Sequence, residues 1–299
     1  ACRNILERAA AKAGASVQVV ELPLPCASAA DWADRIDAAI NDRTVFALID
    51  QVTSPSAVVL DVASIVRRLQ RRGVRVMVDA AHVPGHLDVD VDALGASWWT
   101  GNLHKWLCTP KGAAVLYTSE GALDQTQPAT TSHAYNASTT ERSRYLQGFD
   151  WPGTWDPTPV LAAPAAIAFL SGLLPGGLGA LMARNRKLCA LAALLVTETA
   201  GLSPVSASTD RGAMCAFFVR EGAQIRALQP SRSRYIPVLQ DELHRRYRIE
   251  VPVVPVPVGS GGRSGDWLLR ISAHAYNGIR DFEVLCAALK DLRGRDVIA

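Results

Sequence analysis

The sequence predicts an α/β protein: a larger unit built on a mostly parallel sheet with helices on both faces, then a smaller α+β unit at the C-terminal end. Three observations carry this. Short apolar runs rich in β-branched residues alternate with helical apolar spacing from the start of the chain to residue 78. A long Ala/Leu-rich segment, 179–199, leads into the last third, and that third reads strand, helix, strand, strand, helix. Strands separated by helices at this spacing pair in parallel, because the crossover returns each strand in the same direction.

Taken in order, residues 2–14 have helical spacing, and 16–22 (SVQVVEL) alternate like a strand that ends at Pro23. Residues 28–41 form the next helix with Ser28 as N-cap, and 44–49 (TVFALI) the next strand. The third repeat is a helix over 62–72 closed by Gly73, with a strand at 74–78 (VRVMV). A short strand at 113–117 follows Gly101, then a polar stretch, 119–148, with no regular pattern; a stretch of that length reads as a functional loop or arm. Helices are expected at 159–170 and 179–199. The small unit then takes a strand at 213–219, a helix at 235–246, strands at 249–254 and 267–271, and a helix at 279–292. The expected division is 1–185 and 186–299.

Composition narrows the class. The chain has 299 residues, 49% hydrophobic and 20% charged, with 31 basic against 28 acidic side chains, too small an excess to favour nucleic acid or an anionic membrane as partner. Apolar stretches such as 188–196 stop far short of the roughly 20 residues of a membrane span. No signal-type segment is read at the start, so the expected location is cytoplasmic. Six cysteines lie far apart, without CxxC or His/Cys spacing for a metal; they read as reduced thiols. The chain opens at Ala1 without methionine, directly into a helical pattern, and reads as a fragment of a longer protein.

Ligands of open α/β sheets sit beyond the carboxyl ends of the strands, and Asp79 ends the strand 74–78. Lys105 follows in Thr100-Gly101-Asn102-Leu103-His104-Lys105-Trp106, beside Trp98, Trp99 and Trp106. Apolar surroundings disfavour the charged form of a lysine and free its amine as a nucleophile. A lysine for an imine and an acid to keep a pyridinium nitrogen protonated are what pyridoxal 5′-phosphate needs. Lys105 and Asp79 are the candidates, His82 is placed to donate to the ring's 3′-oxygen, and Asn102 and His104 are placed to donate to the phosphate. A planar guanidinium suits a carboxylate, which makes Arg270, on the strand 267–271, the candidate for a substrate's α-carboxylate.

The run from Val78-Asp79-Ala80-Ala81-His82-Val83-Pro84-Gly85 to Gly101-Asn102-Leu103-His104-Lys105-Trp106 and Pro110-Lys111-Gly112 resembles the cofactor segment of class V aminotransferase-like enzymes, and within them the isopenicillin-N-epimerase-like branch. Ser132-His133-Ala134-Tyr135-Asn136, the run from Phe149 to Pro157, and Leu269-Arg270-Ile271-Ser272-Ala273-His274-Ala275-Tyr276-Asn277 are similar to further blocks of that branch. The resemblance implies fold type I of the pyridoxal-phosphate-dependent transferases, and a homodimer with shared sites. It implies that Gly153 and Thr154 reach the phosphate of the neighbouring subunit, that Arg270 pairs with the substrate carboxylate, and that Thr53 and Ser54 line the ring. Ala57 stands where the branch usually has glycine. The branch also carries an N-terminal region, with a phosphate-binding loop and a ring-stacking residue, ahead of the segment matching Ala1 to Asn4.

The activity this implies is amino-acid epimerisation, with transamination or C–S/β-elimination as alternatives that start from the same bound substrate. Desulfuration is disfavoured, because residues 251–270 contain no cysteine. The reading from another class is a shortened, non-catalytic binding protein of the same fold.

Overall fold

The computed structural model describes residues 2–138, 142–256 and 266–299. Its helices are α1 (Cys2–Lys12), α2 (Ala29–Ala39), α3 (Val62–Gln70), α4 (Val91–Leu94), α5 (Arg144–Asp150), α6 (Thr158–Leu161), α7 (Ala163–Ser171), α8 (Gly177–Ala200), α9 (Val238–Tyr247) and α10 (Ile279–Gly294). The strands are β1 (Phe46–Asp50), β2 (Arg75–Asp79), β3 (Trp98–Asn102), β4 (Ala114–Thr118), β5 (Met214–Arg220), β6 (Val253–Pro255) and β7 (Asp266–Ser272). Strands β1 to β4 form one sheet in sequence order; β1–β2 and β2–β3 pair in parallel and β3–β4 antiparallel. The second sheet, in the order β5-β7-β6, is antiparallel throughout.

Local chemistry explains where the helices start. Ser28 caps α2 by accepting from the Ala30 amide, and Asp61 caps α3 by accepting from Ser64. α3 then turns Val62, Ile65, Val66 and Leu69 inward at helical spacing, and its arginines face solvent. These side chains join Val76 and Val78 of β2 and Trp32 and Ile36 of α2 in the core under the first sheet. A second core lies between α8, α10 and the antiparallel sheet, around Phe217, Leu243, Leu269, Leu285 and Leu289. The expected boundary at 185/186 falls inside α8, a continuous helix of 24 residues.

Four expectations are corrected. Residues 16–22 form no strand: Val17, Val20 and Leu22 are half-buried, but no neighbouring strand offers a ladder to their backbone. β3 was not expected, yet it is an inner strand of the first sheet. The polar stretch 119–148 holds two short 3-10 turns, Glu120–Gln125 and His133–Asn136, and the start of α5; its residues 139–141 lie outside the described residues. The helix expected over 159–170 is broken into α6 and α7.

Candidate active site

β1 and β2 end side by side. Asp50 pairs in register with Asp79, so two carboxylates leave the carboxyl end of the sheet on one face of neighbouring parallel strands. Oδ1 of Asp79 accepts from the Ala81 amide at 3.0 Å, and its Oδ2 faces the Cys2 thiol of α1 at 3.7 Å. Asp50 keeps solvent on one side yet is ringed by protein; that burial, with Asp79 beside it, pushes its carboxyl up to about 6, and Lys105 opposes the rise.

After Asp79 the chain turns back through Pro84 and Gly85. Gly85 has φ +80°, and a Cβ there would stand about 3.0 Å from the Trp106 backbone, so only glycine lets this turn press against the Lys105–Trp106 turn. The contact brings His82 to Lys105, with Nε2 3.1 Å from Nζ. Burial holds the Lys105 ammonium below its ordinary value; Asp79 and Asp50 pull it up and Arg270 pushes it down. Burial, then Lys105 and Arg270, force His82 down to about 3, and burial takes His86 down to about 4. Both imidazoles are neutral at neutral pH.

Arg270 reaches this cluster from β7. It donates to the backbone oxygen of Ser54 and, at 3.2 Å, to its hydroxyl. Its Nε is buried without a hydrogen-bond partner, and burial holds the guanidinium below its ordinary value. No described carboxylate pairs with Arg270 or with Lys105. A desolvated amine, a strand-end acid and a guanidinium with a spare buried donor thus meet at one place, and they fit a pyridoxal-phosphate group with a carboxylate-bearing substrate.

The other candidates are dispersed. Asn102 ends β3, three residues before Lys105. The His104 ring donates from Nδ1 to the Ala113 carbonyl at 2.7 Å, which ties it to the backbone and leaves only its other nitrogen toward a ligand. The Thr53 hydroxyl is engaged within its own loop, with Ser56 at 2.7 Å and the Val58 amide at 2.9 Å. Ala57 in that loop is fully buried at φ +57°, a left-handed conformation natural to glycine. Gly153 and Thr154 stand elsewhere: with Ser132, His133, Tyr135, Asn136 and Trp151 they line a concavity of 480 Å³ that includes none of Asp79, His82, Lys105 or Arg270.

Sequence reasoning missed Asp50, His86 and His274. Asp50 ends an apolar strand as Asp79 does, and the same rule finds it. His86 and His274 carry no local signal: His86 is buried, its ring stacked on Trp106 at 4.2 Å, and His274 bonds the Trp106 carbonyl from 168 residues away.

The low imidazole values predict acid sensitivity. Unfolding returns His82 and His86 to an ordinary value near 6.5, so the stability they confer is complete above that pH and is lost as pH falls toward 4 and 3. Asp50 acts oppositely between about 6 and its ordinary value, reduced by its contact with water. The net is an uptake of about one to two protons on unfolding, a loss of about 1.4–2.7 kcal/mol per pH unit between pH 6 and 4.5. Urea unfolding across that range checks it; a flat profile would remove the assignment of two neutral buried imidazoles.

The fold is shared with solved structures. The chain superposes on a cysteine desulfurase from Thermococcus onnurineus with TM-score 0.73 at 20% identity, covering 97% of this chain and 69% of that one. A cysteine desulfurase from Escherichia coli gives TM-score 0.73 at 20% identity, covering 97% and 68%. That likeness is one of fold: the chain shares the α/β architecture of these proteins, with its mostly parallel sheet. The aminotransferase class-V family matches residues 1–228, and the chain belongs to it. Relatives include the isopenicillin N epimerases of Amycolatopsis lactamdurans (33% identity, 96% of this chain, 70% of that protein) and Streptomyces clavuligerus (30%, 96% and 70%). A probable chloroplastic L-cysteine desulfhydrase of Arabidopsis thaliana is 32% identical over 97% of this chain and 61% of its own length. The chain is a pyridoxal-phosphate-dependent enzyme.

Proposed function

We propose that the chain is an amino-acid epimerase in which Lys105 carries the cofactor through its amine. The observation that carries this reading is the pairing of a desolvated Lys105 amine with a neutral His82, 3.1 Å apart and next to Asp79. When bound, the cofactor supplies an electron sink that makes the α-proton of an amino acid acidic. Around it, Asp79 would hold the ring nitrogen and His82 the 3′-oxygen, with Asn102 and His104 toward the phosphate and Thr53 and Ser54 beside the ring. Arg270 would clamp the substrate carboxylate, and Nζ of Lys105 would take and return the α-proton.

Epimerisation is favoured by two relatives of that activity at 33% and 30% identity. Elimination is the second reading, favoured by the 32% identity to a probable L-cysteine desulfhydrase. Incubation with pyridoxal phosphate and single amino-acid enantiomers in deuterated water separates them. Epimerisation gives the opposite enantiomer with deuterium at the α-carbon and no loss of ammonia. Release of sulfide and a 2-oxo acid from cysteine, without enantiomer exchange, would replace this reading with the second.

Completion of the site by a second copy is part of the proposal, because Gly153 and Thr154 lie apart from Lys105 within one chain. A candidate surface for that copy carries Leu161, Phe169 and Leu194 on α6 to α8, which are 72%, 68% and 59% exposed. Sedimentation should give twice the chain mass, and a monomer at micromolar concentration would exclude the shared site. A cytoplasmic setting is consistent with six cysteines that form no disulfide and with the absence, among the described residues, of a helix long and apolar enough to cross a membrane.

A further inference from the structure

The Lys105 amine is one end of a chain of hydrogen bonds whose direction the structure fixes. The Trp106 indole N–H can only donate, and it points at Nδ1 of His82 at 3.4 Å. That nitrogen therefore carries no hydrogen, and the neutral ring bears its proton on Nε2, the atom 3.1 Å from Nζ of Lys105. An ammonium has no lone pair to receive that N–H. The bond exists only if the lysine is the free amine.

The indole itself is held between two imidazole contacts. His86 stacks on it at 4.2 Å and 13°, and His274 at 5.6 Å and 29°. Each of these rings is locked in turn. His86 accepts from the Ala213 amide at Nε2 (2.6 Å) and so donates from Nδ1 to the His82 carbonyl (2.7 Å). His274 faces the Trp106 carbonyl with Nε2 at 2.9 Å and therefore donates there. Ala213 precedes β5 and His274 follows β7, so the second sheet anchors a ring that belongs to the first.

We infer that Trp106 is a positioning residue: its indole N–H sets the tautomer of His82, and through it keeps Lys105 as the free amine. This deepens the reading of Lys105 as the cofactor lysine and rests on it for its purpose, though not for its test. The groups that face the amine are His82 on the turn after β2, Asp79 and Asp50 on β2 and β1, and Arg270 on β7. The two carboxylates favour the ammonium, burial and Arg270 oppose them, and a histidine that donates adds to the opposition.

Side-chain nitrogen NMR of the 299-residue chain without added cofactor tests this, with His82 assigned by the signal lost in His82→Gln. The wild-type ring should show a protonated Nε2 and a bare Nδ1. In Trp106→Phe, which keeps an aromatic plate but removes the donor, the share of the Nδ1–H form should rise about five- to tenfold, the worth of one hydrogen bond. The pH at which Lys105 becomes reactive to an acylating reagent, followed by peptide mapping, should move alkaline by a similar factor, about 0.7–1 in pH. A wild-type His82 protonated on Nδ1 overturns the inference whether or not the variant folds. So does a folded Trp106→Phe with unchanged tautomer and unchanged Lys105 reactivity. Neither result bears on whether Lys105 carries the cofactor, which borohydride reduction of the cofactor-loaded chain and peptide mapping of the pyridoxyl group decide.

Discussion

Lys105→Ala should lose covalent attachment of pyridoxal phosphate and lower turnover by about 10²- to 10⁴-fold, the range for loss of a positioned proton-transfer group. The amine is half-buried, held below its ordinary value by burial and in contact with His82, whereas Lys111, six residues on, lies on the surface. Borohydride reduction of the wild-type chain loaded with cofactor, followed by peptide mapping, should place the pyridoxyl label on Lys105. A label on Lys111 or Lys187 would sink the assignment. Asp79→Ala serves as the control for the neighbouring acid: it should retain the label on Lys105 and lose most turnover, because the role proposed for the acid is on the ring nitrogen and not in attachment.

Arg270→Met should weaken amino-acid binding by about ten- to a hundredfold while the spectrum of the lysine-bound cofactor stays unchanged. The guanidinium is directed by β7 to the cluster, leans on Ser54 and keeps a buried Nε without partner, so a carboxylate would find a donor already desolvated. A charge-assisted hydrogen bond is worth about 1.5–3 kcal/mol, and about 1.4 kcal/mol is a factor of ten. The comparison that isolates this term is an amine lacking the carboxylate, whose binding should not change. Equal weakening for both ligands would mean that the arginine merely ties β7 to the loop of Ser54.

What the sequence made legible divides by range. α3 and β2 could be read because their periodicity is local and strong: four inward residues at helical spacing, then a short β-branched run. β3 could not, because Trp98 to Asn102 contains two tryptophans, a glycine and no β-branched apolar pattern; its partners on both sides make it a strand. The converse holds for residues 16–22, where alternation is present and no ladder is. At the site, Asp79, His82 and Lys105 stand out because two short motifs carry them. The parts that tune them are non-local: Arg270 meets Ser54 across 216 residues, and His274 meets Trp106 across 168. Spacing along one chain holds no record of such contacts.

β1 has a ladder on one side only among the described strands. Its other side presents a row of backbone donors and acceptors next to Phe46, Ala47, Leu48 and Ile49, with Val45 exposed just before it and a charge only at the final Asp50. Such a rim is a template on which extended segments of other molecules can grow, and proteins commonly blunt it with lysine, proline or a covering loop. Colloidal behaviour of this chain is therefore tied to a feature remote from its chemistry. Lysine in place of Val45 should raise the concentration at which the folded chain stays clear in solution, and leave the Lys105 cluster as it is.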